Sequence, residues 1–98
     1  MSFRVSFQPV AKAELFNAAK WYENQRPGLG QVFIAEIERC IALAAKQPLQ
    51  FAVVETDVRS IVAKRFPYSI YFRVRKNFVV ILAVFHGKRE PANWRERN

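Results

Sequence analysis

The 98-residue sequence predicts an α+β fold of order β-α-α-β-β-β, with a helical hairpin packed on one face of a small, mostly antiparallel sheet. Three observations predict it. Apolar and polar residues alternate over Phe3–Phe7 and again over Tyr68–Arg75. On either side of an Arg26-Pro27-Gly28 break, apolar residues instead recur every three or four positions. Finally, Phe78–Phe85 is an unbroken apolar run, right for a buried strand and far short of the ~20 residues that cross a bilayer.

In the first strand Phe3, Val5 and Phe7 share one face, while Ser2, Arg4, Ser6 and Gln8 share the other. Pro9 suits the first turn of a helix, where its missing N–H breaks no hydrogen bond. That helix runs to about Asn24, with Ala11, Leu15, Ala18, Ala19 and Tyr22 on one side. A second helix starts near Leu29, places Phe33, Ile37, Cys40, Ile41 and Ala44 on one side, and stops at Pro48. So short a connection makes the two helices an antiparallel hairpin.

Leu49–Asp57 reads as an irregular return and Val58–Arg65 as a strand. In the next strand Tyr68, Ile70, Phe72 and Val74 face one way and Ser69, Tyr71, Arg73 and Arg75 the other. Lys76-Asn77 forms a hairpin turn into Phe78–Phe85, whose two apolar faces put it inside the sheet. The helices then cover one sheet face and the basic residues occupy the other.

The length suits a single domain spanning the whole chain, and 51% apolar residues suffice for one core. Met1–Val10 has no continuous apolar stretch of the signal-peptide kind, so a cytoplasmic domain is expected. One cysteine, Cys40, excludes an internal disulfide and a Cys-rich zinc site. A single His and the lack of ligand spacing leave no metal centre, and no Gly-rich phosphate loop is present, so no cofactor is expected.

The net charge is +8, and it is segregated. Met1–Asp57 holds six basic and six acidic residues, whereas Val58–Asn98 holds ten basic residues against Glu90 and Glu96. Such a field draws in a polyanion or an acidic protein surface. The uncovered sheet face is expected to display Tyr71, Arg73 and Arg75, with Arg59 and Lys64 or Arg65 beside them. Cross-strand neighbours lie ~5 Å apart, and like charges so close call for an anionic partner. Beyond the buried strand come His86, Lys88, Arg89 and Trp94. His86 has the chemistry of a general acid or base, Arg89 that of a phosphate or carboxylate grip, and Trp94 that of a stacking platform. Each has a plain structural use as well: hydrogen bonding at a strand end, pairing with Glu90, packing of the tail.

Taken in order, Trp21-Tyr22-Glu23, Pro27-Gly28-Leu29-Gly30 with Phe33, Arg59, Arg65-Phe66-Pro67-Tyr68 with Ile70-Tyr71, and Ala83-Val84, His86, Arg89, Pro91, Trp94 and Arg97 resemble the ParE/RelE superfamily of toxins. The resemblance covers about Ala11 to Arg97 and implies the fold read above. It also implies a cognate ParD- or RelB-like antitoxin whose acidic, amphipathic C-terminal segment wraps the toxin. RelE-like members are ribosome-dependent endoribonucleases acting on messenger RNA, whereas ParE-like members poison DNA gyrase without that catalytic set. Arg89 matches the late arginine of the RelE pattern. Ser69, however, stands where many RelE-like nucleases carry an arginine, and Trp94 is out of register with their terminal Tyr. These departures favour the ParE-like side. On the nuclease reading the catalytic candidates are Arg59, Arg73, His86 and Arg89. On the docking reading Arg59, Lys64, Arg65, Tyr71, Arg73, Arg75, Lys88, Arg89 and Trp94 form the target- or nucleic-acid-binding surface. A non-toxic homologue that only binds its antitoxin is the third class.

Overall fold

The structure, a computed structural model, describes residues 2–87. The chain runs through β1 (Arg4–Phe7), α1 (Pro9–Gln25), α2 (Leu29–Lys46), a 3₁₀ turn (Pro48–Gln50), β2 (Val53–Glu55), β3 (Val58–Val62), β4 (Tyr68–Arg75) and β5 (Phe78–His86). The five strands form one sheet in the order β1-β5-β4-β3-β2, in which β1 is parallel to β5 and every other pair is antiparallel. No helix among the described residues is long and apolar enough to cross a membrane.

Pro9 opens α1 as expected, and the chain leaves that helix through Arg26 in an extended conformation. Gly28 follows at φ +89, a left-handed conformation that glycine adopts without penalty, and α2 starts at the next residue. The two helices bury the anticipated faces. Ala11, Leu15, Ala18 and Ala19 from α1 and Phe33, Ile37, Cys40, Ile41 and Ala44 from α2 meet Ile61, Ile70, Phe72, Val79, Ile81 and Val84 from the sheet in one core.

Two local expectations are corrected. Leu49–Asp57 is not an irregular return: it holds the 3₁₀ turn and the short edge strand β2, which pairs with β3 through a register shift between Val53 and Glu55. The strand expected over Val58–Arg65 ends at Val62, because Lys64–Pro67 turns the chain into β4, with Arg65 at φ +73. Both segments are short and lack a sustained alternation, so periodicity alone carries little signal there.

The second sheet face differs more. Opposite the helices lies a second apolar cluster of Val58, Tyr71, Leu82, Ala83 and Phe85, all buried, with Val80 against it. A β-bulge produces it: Tyr71 pairs with Ala83 and Phe72 with Ile81, so Leu82 is the extra residue on β5. The bulge shifts the alternation by one, placing consecutive Leu82 and Ala83 on the same face. This is why Phe78–Phe85 has to be apolar on both sides. The face expected to be basic is apolar at its centre.

Candidate functional site

Arg73 and Arg75 do share the face opposite the helices, near the turn that joins β4 to β5. They are not an unneutralised pair. Asp57, in the tight turn between β2 and β3, accepts Arg73 Nη2 at 2.9 Å through Oδ1 and Arg75 Nη1 at 2.6 Å through Oδ2. The hydrogen bond from Arg75, with the nearby charge of Arg73, holds the Asp57 carboxyl below its ordinary range. Arg73 is the more enclosed arginine, its side chain only 12% exposed, and its Nε is buried without a hydrogen-bond acceptor.

Arg59 does not join them. It pairs with Phe72, so it projects to the helix side of the sheet, and its Nη1 donates to the carbonyls of Phe51 at 2.6 Å and Leu49 at 3.3 Å. The expectation that it lines the open face is therefore wrong, and the cause is register. Arg59 holds the 3₁₀ turn onto the sheet. Tyr71 is on the expected face but buried, its ring 5.7 Å from that of Phe85, as part of the apolar cluster rather than of a display surface. Lys64 and Arg65 lie in the loop at the far end of β4. The Lys64 backbone N–H donates to Glu36 Oε2, and both Arg39 Nε and Arg39 Nη2 donate to the Glu36 carboxylate at 2.8 Å. Hydrogen bonding by Arg39, helped by the Lys64 N–H, brings the Glu36 carboxyl down to about 2.

His86 ends β5 opposite Tyr68, with its ring perpendicular to that of Tyr68 at 5.2 Å. Tyr68 opens the strand that Arg75 closes, so His86 stands roughly 17 Å from Arg73 and roughly 23 Å from Arg75 along the sheet. Behind Tyr68 is an aromatic knot. Tyr22 contacts Trp21, Phe33, Phe66 and Tyr68 at centroid distances of 5.1, 5.1, 4.9 and 6.2 Å. Many residues that carry the superfamily resemblance meet here, so they hold the hairpin to the sheet. Lys88, Arg89 and Trp94 lie outside the described residues.

Sequence reasoning missed an apolar groove. Val5, Phe7, Leu15, Phe16, Ile41 and Ala42, with Lys12 and Glu38 at its rim, line a cavity of about 460 Å³. Phe16 is 52% exposed although it is a large apolar side chain. The available signal was that Phe16 falls beside, not on, the buried stripe of α1. Among the described residues no group of three or more His, Cys, Asp or Glu side chains is placed to hold a metal ion.

Comparison with known proteins agrees with this fold. No curated protein sequence matches the chain. Among solved structures, it superposes on a chain of the chromosomal ParDE toxin–antitoxin system from P. aeruginosa with a TM-score of 0.78, at 20% identity over 89% of this chain and 98% of that one. The isolated E. coli RelE toxin gives 0.66, at 14% identity over 97% and 95%. The RelBE2 toxin–antitoxin complex from Mycobacterium tuberculosis gives 0.60, at 22% identity over 88% and 99%. At such identities the likeness is one of fold. The sequence model of the ParE toxin of type II toxin–antitoxin systems, however, matches residues 5–91, from the first strand to beyond the last, and the chain belongs to that family.

Proposed function

We propose that this type II toxin acts by docking on DNA gyrase, without chemistry of its own, and is silenced when a cognate antitoxin covers the α1–α2 groove. The observation that carries the docking reading is the dispersal of the three candidate catalytic side chains that lie among the described residues. Arg59 is bound to backbone carbonyls on the helix side, Arg73 is paired with Asp57 on the other side, and His86 is at the opposite end of the sheet. A phosphoryl-transfer site needs such groups converging within hydrogen-bond reach of one reacting phosphate. The family assignment makes gyrase the target to test first.

The antitoxin reading rests on the groove. An amphipathic segment laid along α1 and α2 would bury Phe16 and Val5, and the short edge strand β1 lies alongside to accept an added strand. An acidic segment suits a chain of net charge +8, and attraction would speed its capture. In the two solved toxin–antitoxin systems named above, a toxin of this fold is present with its antitoxin.

Pulse-labelling of cells induced for the protein separates the possible targets. An early fall in DNA synthesis with translation spared supports gyrase, and inhibition of supercoiling by purified gyrase should accompany it. An early fall in translation would replace this reading with messenger RNA cleavage. If neither falls, the protein is a binding-only homologue.

A further inference from the structure

Strand register sets three side chains in a row across one end of the sheet. Arg4 on β1 pairs with Phe78 on β5, and Phe78 pairs with Arg75 on β4. Phe3 and Phe7 on β1, like Val79 and Ile81 on β5, pack on the helix side, so Arg4 and Phe78 point to the opposite face. The next row on that face is Ser6, Val80 and Arg73. Adjacent strands lie ~4.8 Å apart, which puts the backbones of Arg4 and Arg75 roughly 10 Å apart with Phe78 midway. All three side chains are exposed, Phe78 to 36% although it is large and apolar. Asp57 is shared by Arg73 and Arg75, so together with Arg4 three guanidinium groups face one carboxylate. Lys76, in the turn between β4 and β5, adds a fourth cation to this end of the sheet. Among the described residues Arg4 enters no ion pair.

We propose that the Arg4–Phe78–Arg75 row binds single-stranded nucleic acid, with one base laid on the Phe78 ring and the phosphates on either side of it held by Arg4 and Arg75. Guanidinium groups match a phosphate in bidentate fashion, and an exposed aromatic ring between such groups offers a base a face to stack on. A duplex keeps its bases stacked inside and presents only backbone to Phe78. An acidic peptide would satisfy the arginines equally well, but it has no need of an aromatic ring between them. The row also begins at β1, the edge strand, so a strand of nucleic acid can enter from the side without crossing the helices. Such binding goes beyond docking on gyrase and does not rest on that reading.

The test is fluorescence anisotropy of a labelled oligothymidine with the full chain, over a range of salt concentrations. The wild type should bind with a dissociation constant on the order of 10 μM at low salt. Charge elsewhere on so basic a chain contributes to that value, so the variants decide. Phe78→Leu keeps an apolar side chain but loses the ring, and should weaken binding about tenfold with the salt dependence unchanged. Arg4→Gln should weaken binding and lower the slope of log affinity against log salt by about one. Lys20→Gln, an equal change of charge at an exposed position of α1, should leave that slope as it was. A duplex of the same length and an oligoglutamate peptide should lose nothing from Phe78→Leu. Wild-type affinity of Phe78→Leu for the oligothymidine, or a slope for Arg4→Gln no different from that of Lys20→Gln, would overturn the proposal. So would an equal loss of oligoglutamate binding in Phe78→Leu, which would mark the row as a surface for acidic protein.

Discussion

The carboxylate of Glu23, near the end of α1, accepts the backbone N–H of Gly30 at 3.0 Å through Oε1, and its Oε2 accepts that of Gly28 at 2.8 Å. One side chain of the first helix thereby satisfies two amides at the start of the second, where negative charge also meets the favourable end of the helix dipole. The fit leaves no room at Gly30. A β-carbon there would lie 2.6 Å from the Ala19 carbonyl oxygen and 3.0 Å from Glu23 Oε1, whereas at Gly28 it would meet nothing within 4 Å.

The two glycines should therefore respond differently to alanine. Gly30→Ala sets a methyl group against the Ala19 backbone carbonyl and should cost about 2–3 kcal/mol. Gly28→Ala suffers only the left-handed conformation, about 1 kcal/mol. Urea denaturation of both variants checks the order. Equal losses would mean that the close approach of α1 to α2 at Gly30 is not what restricts that position.

Glu36 should make the fold acid-sensitive. Its folded-state carboxyl titrates at about 2, below its ordinary 4.5. A lowered pKa contributes stability above the ordinary value and loses it as pH falls through the folded one. Denaturation midpoints taken from neutral pH downward should show Glu36→Gln weaker than wild type, with the gap closing between about pH 4.5 and about pH 2. A gap that stays constant over that range would show that the carboxylate's charge is not what ties α2 to the Lys64 loop.

Asp57 acts as an internal counter-ion. Asp57→Asn should strengthen retention on heparin more than Glu38→Gln, a change of equal charge on the exposed side of α2. It should also cost about 1–2 kcal/mol, because the enclosed Arg73 loses its charged partner. Equal retention of the two variants would remove Arg73 and Arg75 from any anion-binding surface.

Cys40 should be unreactive until the protein unfolds. It is fully buried, and burial foremost, with the adjoining Glu36 carboxylate, raises its thiol to about 11. The thiolate is the reactive form, so an aromatic disulfide reagent at pH 8 should label native protein only at the rate of opening and denatured protein at once. Rapid labelling of the native state would contradict the packing of α2 on the sheet.

Much of the fold was legible because its signals are local. The 3–4 residue spacing of Phe33, Ile37, Cys40, Ile41 and Ala44 reports one buried helix face wherever that helix docks, Gly28 and Pro48 mark its two ends, and Pro9 marks the start of α1. The candidate site was less legible. Arg59 and Arg73 were expected on one face because both sit in strands at apparently outward positions. Pairing Arg59 with Phe72 puts it on the other. A register change of one residue exchanges the two faces of a strand, and no periodicity within a single strand reveals it.

The sequence by itself determined the order of the main elements, the buried faces of both helices, and the segregation of positive charge into the C-terminal part, since these depend on side-chain type and spacing along the chain. Only the tertiary structure decided which charges are neutralised. Asp57 reaches Arg73 and Arg75, Glu36 reaches the Lys64 backbone, and Glu14 reaches Val84, contacts of 16, 18, 28 and 70 residues' separation. Such partners are chosen by strand register, by the bulge at Leu82 and by where α1 crosses the sheet. These are properties of several elements packed together, so no one segment encodes them.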